Sequence, residues 1–227
     1  IVLLMTVFFV REKQVDPKNN GFKEIWAALR EGFGERSVWL VAGFIFLFNF
    51  SPSFGPAFLY YQTDVLGFSQ QYIGILSSVG AATNIAGAFI YAPLSRAMPL
   101  RRLINFAIGL SVITLLTYLA YRGETSALFI HIIWGITGMI TTLAFLDLAA
   151  RACPKRAEAT FFALLMSIFN LGTLASQNVG AHLYTELGEG PFAYTWLVII
   201  STLATAAIWL LVPLVHIERI ESHGIVI

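Results

Sequence analysis

The chain is 227 residues long and 57% hydrophobic, with 14 Lys and Arg and 13 Asp and Glu making 12% charged residues. A soluble globular domain carries about 25% charged residues, so a water-soluble domain with a polar skin is excluded. The net charge of +1 means little until the charges are located. Asp64 is the only charged side chain from Val38 to Ser95, and there is none from Leu103 to Tyr121 or from Thr125 to Leu146. From Ala159 to Ile217 only Glu186 and Glu189 are charged. Apolar runs of about 20 residues between charge clusters are membrane-spanning helices. The expected class is an all-α membrane protein.

Residues 1–10 are apolar and run straight into Arg11-Glu12-Lys13. A signal peptide has the opposite order, so this segment reads as the end of a transmembrane helix that begins upstream. Residues 11–37 follow as a connector. In it Phe22, Ile25, Trp26, Leu29 and Phe33 recur at helical spacing among Lys23, Glu24, Arg30 and Glu31. That pattern predicts an amphipathic helix on the membrane surface, either a passive connector or a lipid-regulated site. Gly32-Phe33-Gly34 follows no strand and reads as a flexible break.

Six helices are expected next, over 38–62, 70–95, 103–121, 126–150, 159–186 and 192–213, with residues 214–227 as a tail. The breaks fall at Leu66-Gly67-Phe68, Met98-Pro99, Arg122-Gly123, Cys153-Pro154 and Gly188-Glu189-Gly190-Pro191. Counting Lys and Arg in alternate loops gives thirteen against one, Arg122 being the one. The positive-inside rule then makes the 11–37 connector, the two short basic loops and the C-terminus cytoplasmic. The expected setting is a multi-pass protein of a bacterial plasma membrane.

Polar side chains inside lipid are costly and ask for a partner or a wet cavity. Asn49, Pro52 and Ser53 fall in the middle of the first full helix, where Pro52 and Pro56 remove backbone hydrogen bonds. A helix broken there bends or offers carbonyls to a solute. In the second helix Ser77, Gly80, Ala81, Asn84, Gly87, Ala88 and Tyr91 share a face. It reads as a small-residue helix contact, with Asn84 as the possible polar exception. In the fourth helix His131, Trp134, Gly138, Thr141, Thr142 and Phe145 share another face. There His131 is either a proton site or an interfacial histidine. The fifth helix carries Ser167, Asn170, Leu174, Gln177 and Asn178, the strongest polar stripe. Asn170 and Gln177 are two turns apart, about 10 Å along the axis, and must face protein or water. They either line a solute cavity or bond neighbouring helices. The single Cys153 excludes a disulfide framework and a thiolate-only metal site, and the histidines at 131, 182, 216 and 223 have no ligand spacing. No cofactor is called for. The basic residues form no stripe, so nucleic acid is not an expected partner.

A partial helix, a connector and six helices match one half of a twelve-helix transporter of the major facilitator type. Within them lie Phe48-Asn49-Phe50-Ser51-Pro52-Ser53, Leu66-Gly67-Phe68-Ser69, and Cys153-Pro154-Lys155-Arg156-Ala157-Glu158-Ala159-Thr160-Phe161-Phe162-Ala163-Leu164 with Ser167 and Asn170 downstream. Together these resemble the folate-biopterin transporter family, a branch of that superfamily, over about residues 38–186. The resemblance implies a secondary active transporter, with the other six helices in an N-terminal half upstream. It would move a folate or pterin-like solute by alternating access, with proton coupling as a further expectation. A transporter of another small organic solute, or a membrane assembly factor for pigment complexes, is the alternative. An intramembrane enzyme is the remaining one and lacks a catalytic set: there is no Gly-x-Ser-x-Gly, no phosphate loop and no paired carboxylates.

The superfamily's loop carboxylate is missing from residues 92–102. Arg96, Arg101 and Arg102 are therefore expected to close the cytoplasmic face against Asp147 or Glu158. The alternative is that they only satisfy the positive-inside rule.

Overall fold

A computed structural model of the chain describes Trp26, Arg30 and residues 32–51, 55–155, 157–215 and 217. The helix end expected at 1–10, most of the amphipathic segment, Pro52, Ser53 and the tail beyond 217 lie outside the described residues.

Charge-free apolar stretches dictate helices, and helices are what forms. In chain order they are α1 (Arg36–Asn49), α2 (Gly55–Tyr60), α3 (Gln70–Ala97), α4 (Leu100–Thr117), α5 (Glu124–Ala152), α6 (Glu158–Glu186) and α7 (Gly190–Ala207). α2 runs on into a widened turn over Tyr61–Val65, α4 tightens through Tyr118–Ala120, and α7 tightens through Ile208–Val215. Among the described residues there is no strand. The five elements from α3 to α7 are each long and apolar enough to cross a membrane.

The expected helix over 38–62 is divided. Phe50 closes α1 by donating its N–H to the Phe46 carbonyl at 2.8 Å, and α2 restarts at Gly55. Pro52 and Pro56 cannot donate the N–H groups a continuous helix needs, and in such a helix each ring would clash with the turn before it. The other ends follow equally local causes. Gly67 takes φ +66° to reverse the chain after α2. Ser69 then caps α3 by accepting the Tyr72 N–H. Before α5, the Ser126 hydroxyl oxygen accepts the N–H groups of Arg122 and Gly123.

Two cores are stacked along the helix axes. Near the basic loops the core is aliphatic, with Val41, Ile45, Leu103, Ile104, Leu148, Leu165 and Val212 around stacked Phe44 and Phe145. At the opposite end it is aromatic, and five of the eight tyrosines (61, 118, 121, 184 and 194) are buried there. Hydroxyls lie between the two. On α4 and α5, Ser111 meets Thr141 at 3.2 Å and Thr114 meets Thr137 at 3.0 Å. In hydrocarbon such pairs satisfy groups that have no water to turn to.

α3 and α5 run parallel and touch backbone to backbone. A methyl group on Gly87 would stand 2.5 Å from the Ile136 carbonyl, and one on Gly135 the same distance from the Gly80 carbonyl. The small-residue face of α3 is thus a helix contact at Gly80 and Gly87. Gly32-Phe33-Gly34 is not the flexible break expected. Its residues are helical, the Phe33 ring lies 5.1 Å from that of Phe161, and the Trp39 indole N–H donates to the Phe33 carbonyl at 2.8 Å. Aromatic contact with the start of α6 supplies an anchor that local composition does not reveal.

Candidate functional site

The polar candidates fall into two groups. On the α1–α6 side, Asn49 ends α1 with its Cβ against Gly172 of α6. Its amide turns back on its own helix, donating to the Ile45 carbonyl at 2.8 Å. Farther along α6, Ser167, Asn170 and Asn178 are exposed and Gln177 is half-buried. The Ser167 hydroxyl and the Asn178 amide donate to carbonyls one turn back. Leu171 and Leu174, each 58% exposed, lie on this outward surface too.

On the α3–α5 side, Asn84 is half-buried at an open groove of about 620 Å³. The groove is otherwise apolar, lined by Ala81, Ile85, Ala88, Phe89 and Ala92 of α3 and by Met139 of α5. His131 of α5 is half-buried beside Gly80 of α3. The face expected to join His131 to Thr141 and Phe145 is divided, because Thr141 bonds into α4 and Phe145 lies in the aliphatic core. Among the described residues no hydrogen bond joins Asn49, Asn84, His131, Asn170 and Gln177 to one another.

The break in the first helix is bound from two sides. The Ser51 carbonyl, released from the helix, accepts the Ser176 hydroxyl of α6. The Thr205 hydroxyl of α7 donates to Ser51 Oγ, which donates to the Ser201 carbonyl, both at 2.9 Å. The Ser51 carbonyl, left without a helical donor where α1 has ended, is thereby held by protein.

At the aromatic end, Gln62 is 3% exposed and its amide donates to the Tyr121 hydroxyl at 2.6 Å. That hydroxyl lies 3.3 Å from His131 Nε2. Tyr61 donates to the Tyr121 carbonyl, and Tyr194 to the Tyr118 carbonyl. Sequence reasoning missed Ser51, Gln62, Tyr121 and Ser176 as members of polar clusters. The signal available was a buried-looking amide, Gln62, inside an apolar run, which is costly without partners.

At the basic end Asp147 is held by its own helix. Arg151 donates from Nε and Nη2 to the two carboxylate oxygens at 2.8 and 3.1 Å, and Tyr91 of α3 approaches Oδ2 at 3.4 Å. Arg96, Arg101, Arg102 and Glu158 are exposed at the adjoining helix ends. Just outside α5, burial and then the Glu158 carboxylate push the Cys153 thiol up to about 11. Among the described residues no group of His, Cys, Asp and Glu is arranged to hold a metal.

The BT1 family model matches residues 14–225. The chain is 32% identical over 207 residues to the folate-biopterin transporter of Synechocystis sp., covering 86% of this chain and 41% of that protein. It is 35% identical over 147 residues to "Probable folate-biopterin transporter 4" of Arabidopsis thaliana, covering 60% of this chain and 30% of the plant protein. To folate transporter 2 of Plasmodium falciparum it is 25% identical over 193 residues, covering 80% and 42%. The chain therefore spans less than half the length of these relatives. With its apolar helices and this match along nearly all its length, the chain is a multi-pass integral membrane protein of the BT1 family.

Proposed function

We propose that the chain is the C-terminal half of a secondary active transporter that moves a folate or pterin-like solute by alternating access. In this reading it has the major facilitator arrangement, an upstream six-helix half, and its basic loops and C-terminus in the cytoplasm. It is not an enzyme. The observation that carries the reading is the outward row of Ser167, Asn170 and Asn178, with Gln177 beside it, on a helix of membrane-spanning length in a chain similar to named folate transporters. Amides facing only hydrocarbon would cost several kcal/mol in all, so this row faces water, solute or a further part of the protein. Asn49, Asn84 and His131, with Pro52 and Ser53 at the helix break, supply further hydrogen-bonding groups at solute depth. Proton coupling is the finer step.

Uptake of labelled folate by the full-length protein in proteoliposomes tests the reading. Asn170→Leu or Gln177→Leu is expected to abolish uptake while insertion and folded yield persist. Yield falling together with uptake would make the stripe structural. Normal uptake by both variants would remove it from the site. An imposed pH gradient that leaves the uptake rate unchanged would dismiss proton coupling.

The arginines at 96, 101 and 102 close the cytoplasmic face in the inward-closed state by pairing with Asp147 or Glu158. Charge reversal of Glu158 then changes transport, and a matching reversal at one arginine restores it. Failure of every such pair to recover would end the gate.

A further inference from the structure

The hydrogen bonds around Tyr121 have a direction. Gln62, on the widened turn after α2, points its amide nitrogen at the Tyr121 oxygen at 2.6 Å. An amide NH2 has only hydrogens to offer, so the phenol oxygen is the acceptor of that bond. The phenol's own hydrogen is then free for its other close neighbour, His131 Nε2 at 3.3 Å. Nε2 must accept that hydrogen with its lone pair. A neutral imidazole with Nε2 as acceptor carries its proton on Nδ1. The surroundings fix the ring as well: Phe58 is stacked near it with centroids 6.3 Å apart, and the Tyr121 ring packs at 6.0 Å. Nδ1 faces α3 at Gly80, where even an added Cβ would stand 3.8 Å away. Among the described residues Nδ1 has no hydrogen-bond partner, while the ring is only half-buried. An N–H there is a donor held in place with nothing among the described residues to receive it.

We propose that Gln62 and Tyr121 are positioning residues that hold His131 as the neutral Nδ1–H tautomer, so that it presents one fixed N–H donor to an acceptor on the transported solute. The inference rests on the transport reading above and narrows it. The solute needs a carbonyl oxygen or an unprotonated ring nitrogen at that point, and His131 acts as a recognition group and not as a proton carrier. Glycine at position 80 keeps a Cβ from standing 3.8 Å from Nδ1. One turn on along α3 lies the Asn84 amide at the groove.

Nitrogen-15 NMR of the full-length protein labelled at histidine reads the relay directly, with His131→Gln identifying the resonance. The expected result at neutral pH is a protonated Nδ1 and an unprotonated Nε2, the reverse of the tautomer that free histidine favours. Tyr121→Phe removes the phenol hydrogen and is expected to shift His131 toward Nε2–H, and Gln62→Met to do so partially. A protonated Nε2 in the unmodified protein, from a Gln62 amide turned to accept, overturns the relay. An imidazolium overturns it too.

Uptake of labelled folic acid reads the solute side. An Asn side chain sets its amide nitrogen near the Nδ1 position and a Gln sets its own near Nε2. His131→Gln is therefore expected to raise KM about tenfold and His131→Asn only about threefold, with kcat nearly constant, as for loss of one neutral hydrogen bond. Equal KM for the two variants means that the solute does not use Nδ1, and the recognition role falls while transport stands. No uptake by the unmodified protein removes the transport reading and the solute role together, and the nitrogen resonances still decide the relay.

Discussion

The ring of Tyr61 lies flat on that of Tyr194, with centroids 3.9 Å apart and planes inclined by 4°. This contact joins the end of the first, broken helix to the start of α7, and Tyr194 is buried. Tyr194→Ala removes the stack and opens a cavity, and is expected to cost roughly 3–5 kcal/mol. Tyr194→Phe keeps the ring and loses the bond to the Tyr118 carbonyl, a change of about 1 kcal/mol. Thermal unfolding of the purified full-length protein in detergent compares them.

The glycine seam between α3 and α5 responds steeply to added volume. At position 87 any side chain meets the Ile136 carbonyl, a backbone atom that cannot rotate aside. Gly87→Val is expected to destabilise by roughly 2 kcal/mol or more. Gly74 lies on the same helix with nothing near its missing Cβ. Gly74→Ala is expected to be neutral or to stabilise by up to about 1 kcal/mol through helix propensity. Equal melting temperatures for the two variants would contradict the close approach.

At the first-helix break, Ser176 supplies the donor to the Ser51 carbonyl. Ser176→Ala leaves that half-buried carbonyl short of a partner, at an expected cost of about 1–3 kcal/mol. Ser176→Thr retains the hydroxyl and most of the stability. Because Ser51 contributes its backbone oxygen, Ser51→Ala instead breaks the separate link to Ser201 and Thr205, and the two losses add if the links are independent.

Cys153 is the only thiol in these residues. The thiolate is the form that reacts with maleimide. With the thiol pushed up to about 11 by burial and by Glu158, its labelling rate is expected to rise about tenfold per pH unit from 7 to 9 without levelling. Removing the carboxylate with Glu158→Gln brings the thiol down and speeds labelling at fixed pH. Mass spectrometry of the peptide containing Cys153 measures the rate, and a plateau below pH 9 would refute the shift.

Much of the helix map was legible because lipid enforces it. Charges mark each end, and Gly67, Pro99, Gly123 and Pro154 punctuate the turns, so the expected spans end within about three residues of those found. The completeness of the break after Asn49 was only half legible. Pro52 and Pro56 announce a disturbance, but whether a helix bends or stops depends on who receives the freed carbonyl. That receiver, Ser176, lies 125 positions away. The site was less legible for the same reason. Asn84, His131 and Asn170 stand out as polar residues in apolar runs, whereas Gln62 acquires its meaning only when the fold brings Tyr121 against it. Gly32-Phe33-Gly34 misled because two glycines suggest looseness, while the Phe33 ring between them is secured by Phe161.

The parallel pairing of α3 with α5 has a mechanical consequence. Where Gly87 and Gly135 bring one backbone against another, no rotamers are available to absorb sliding. The two helices therefore form a single stiff plank. Any relative movement of the helices must carry that plank whole and spend its bending elsewhere.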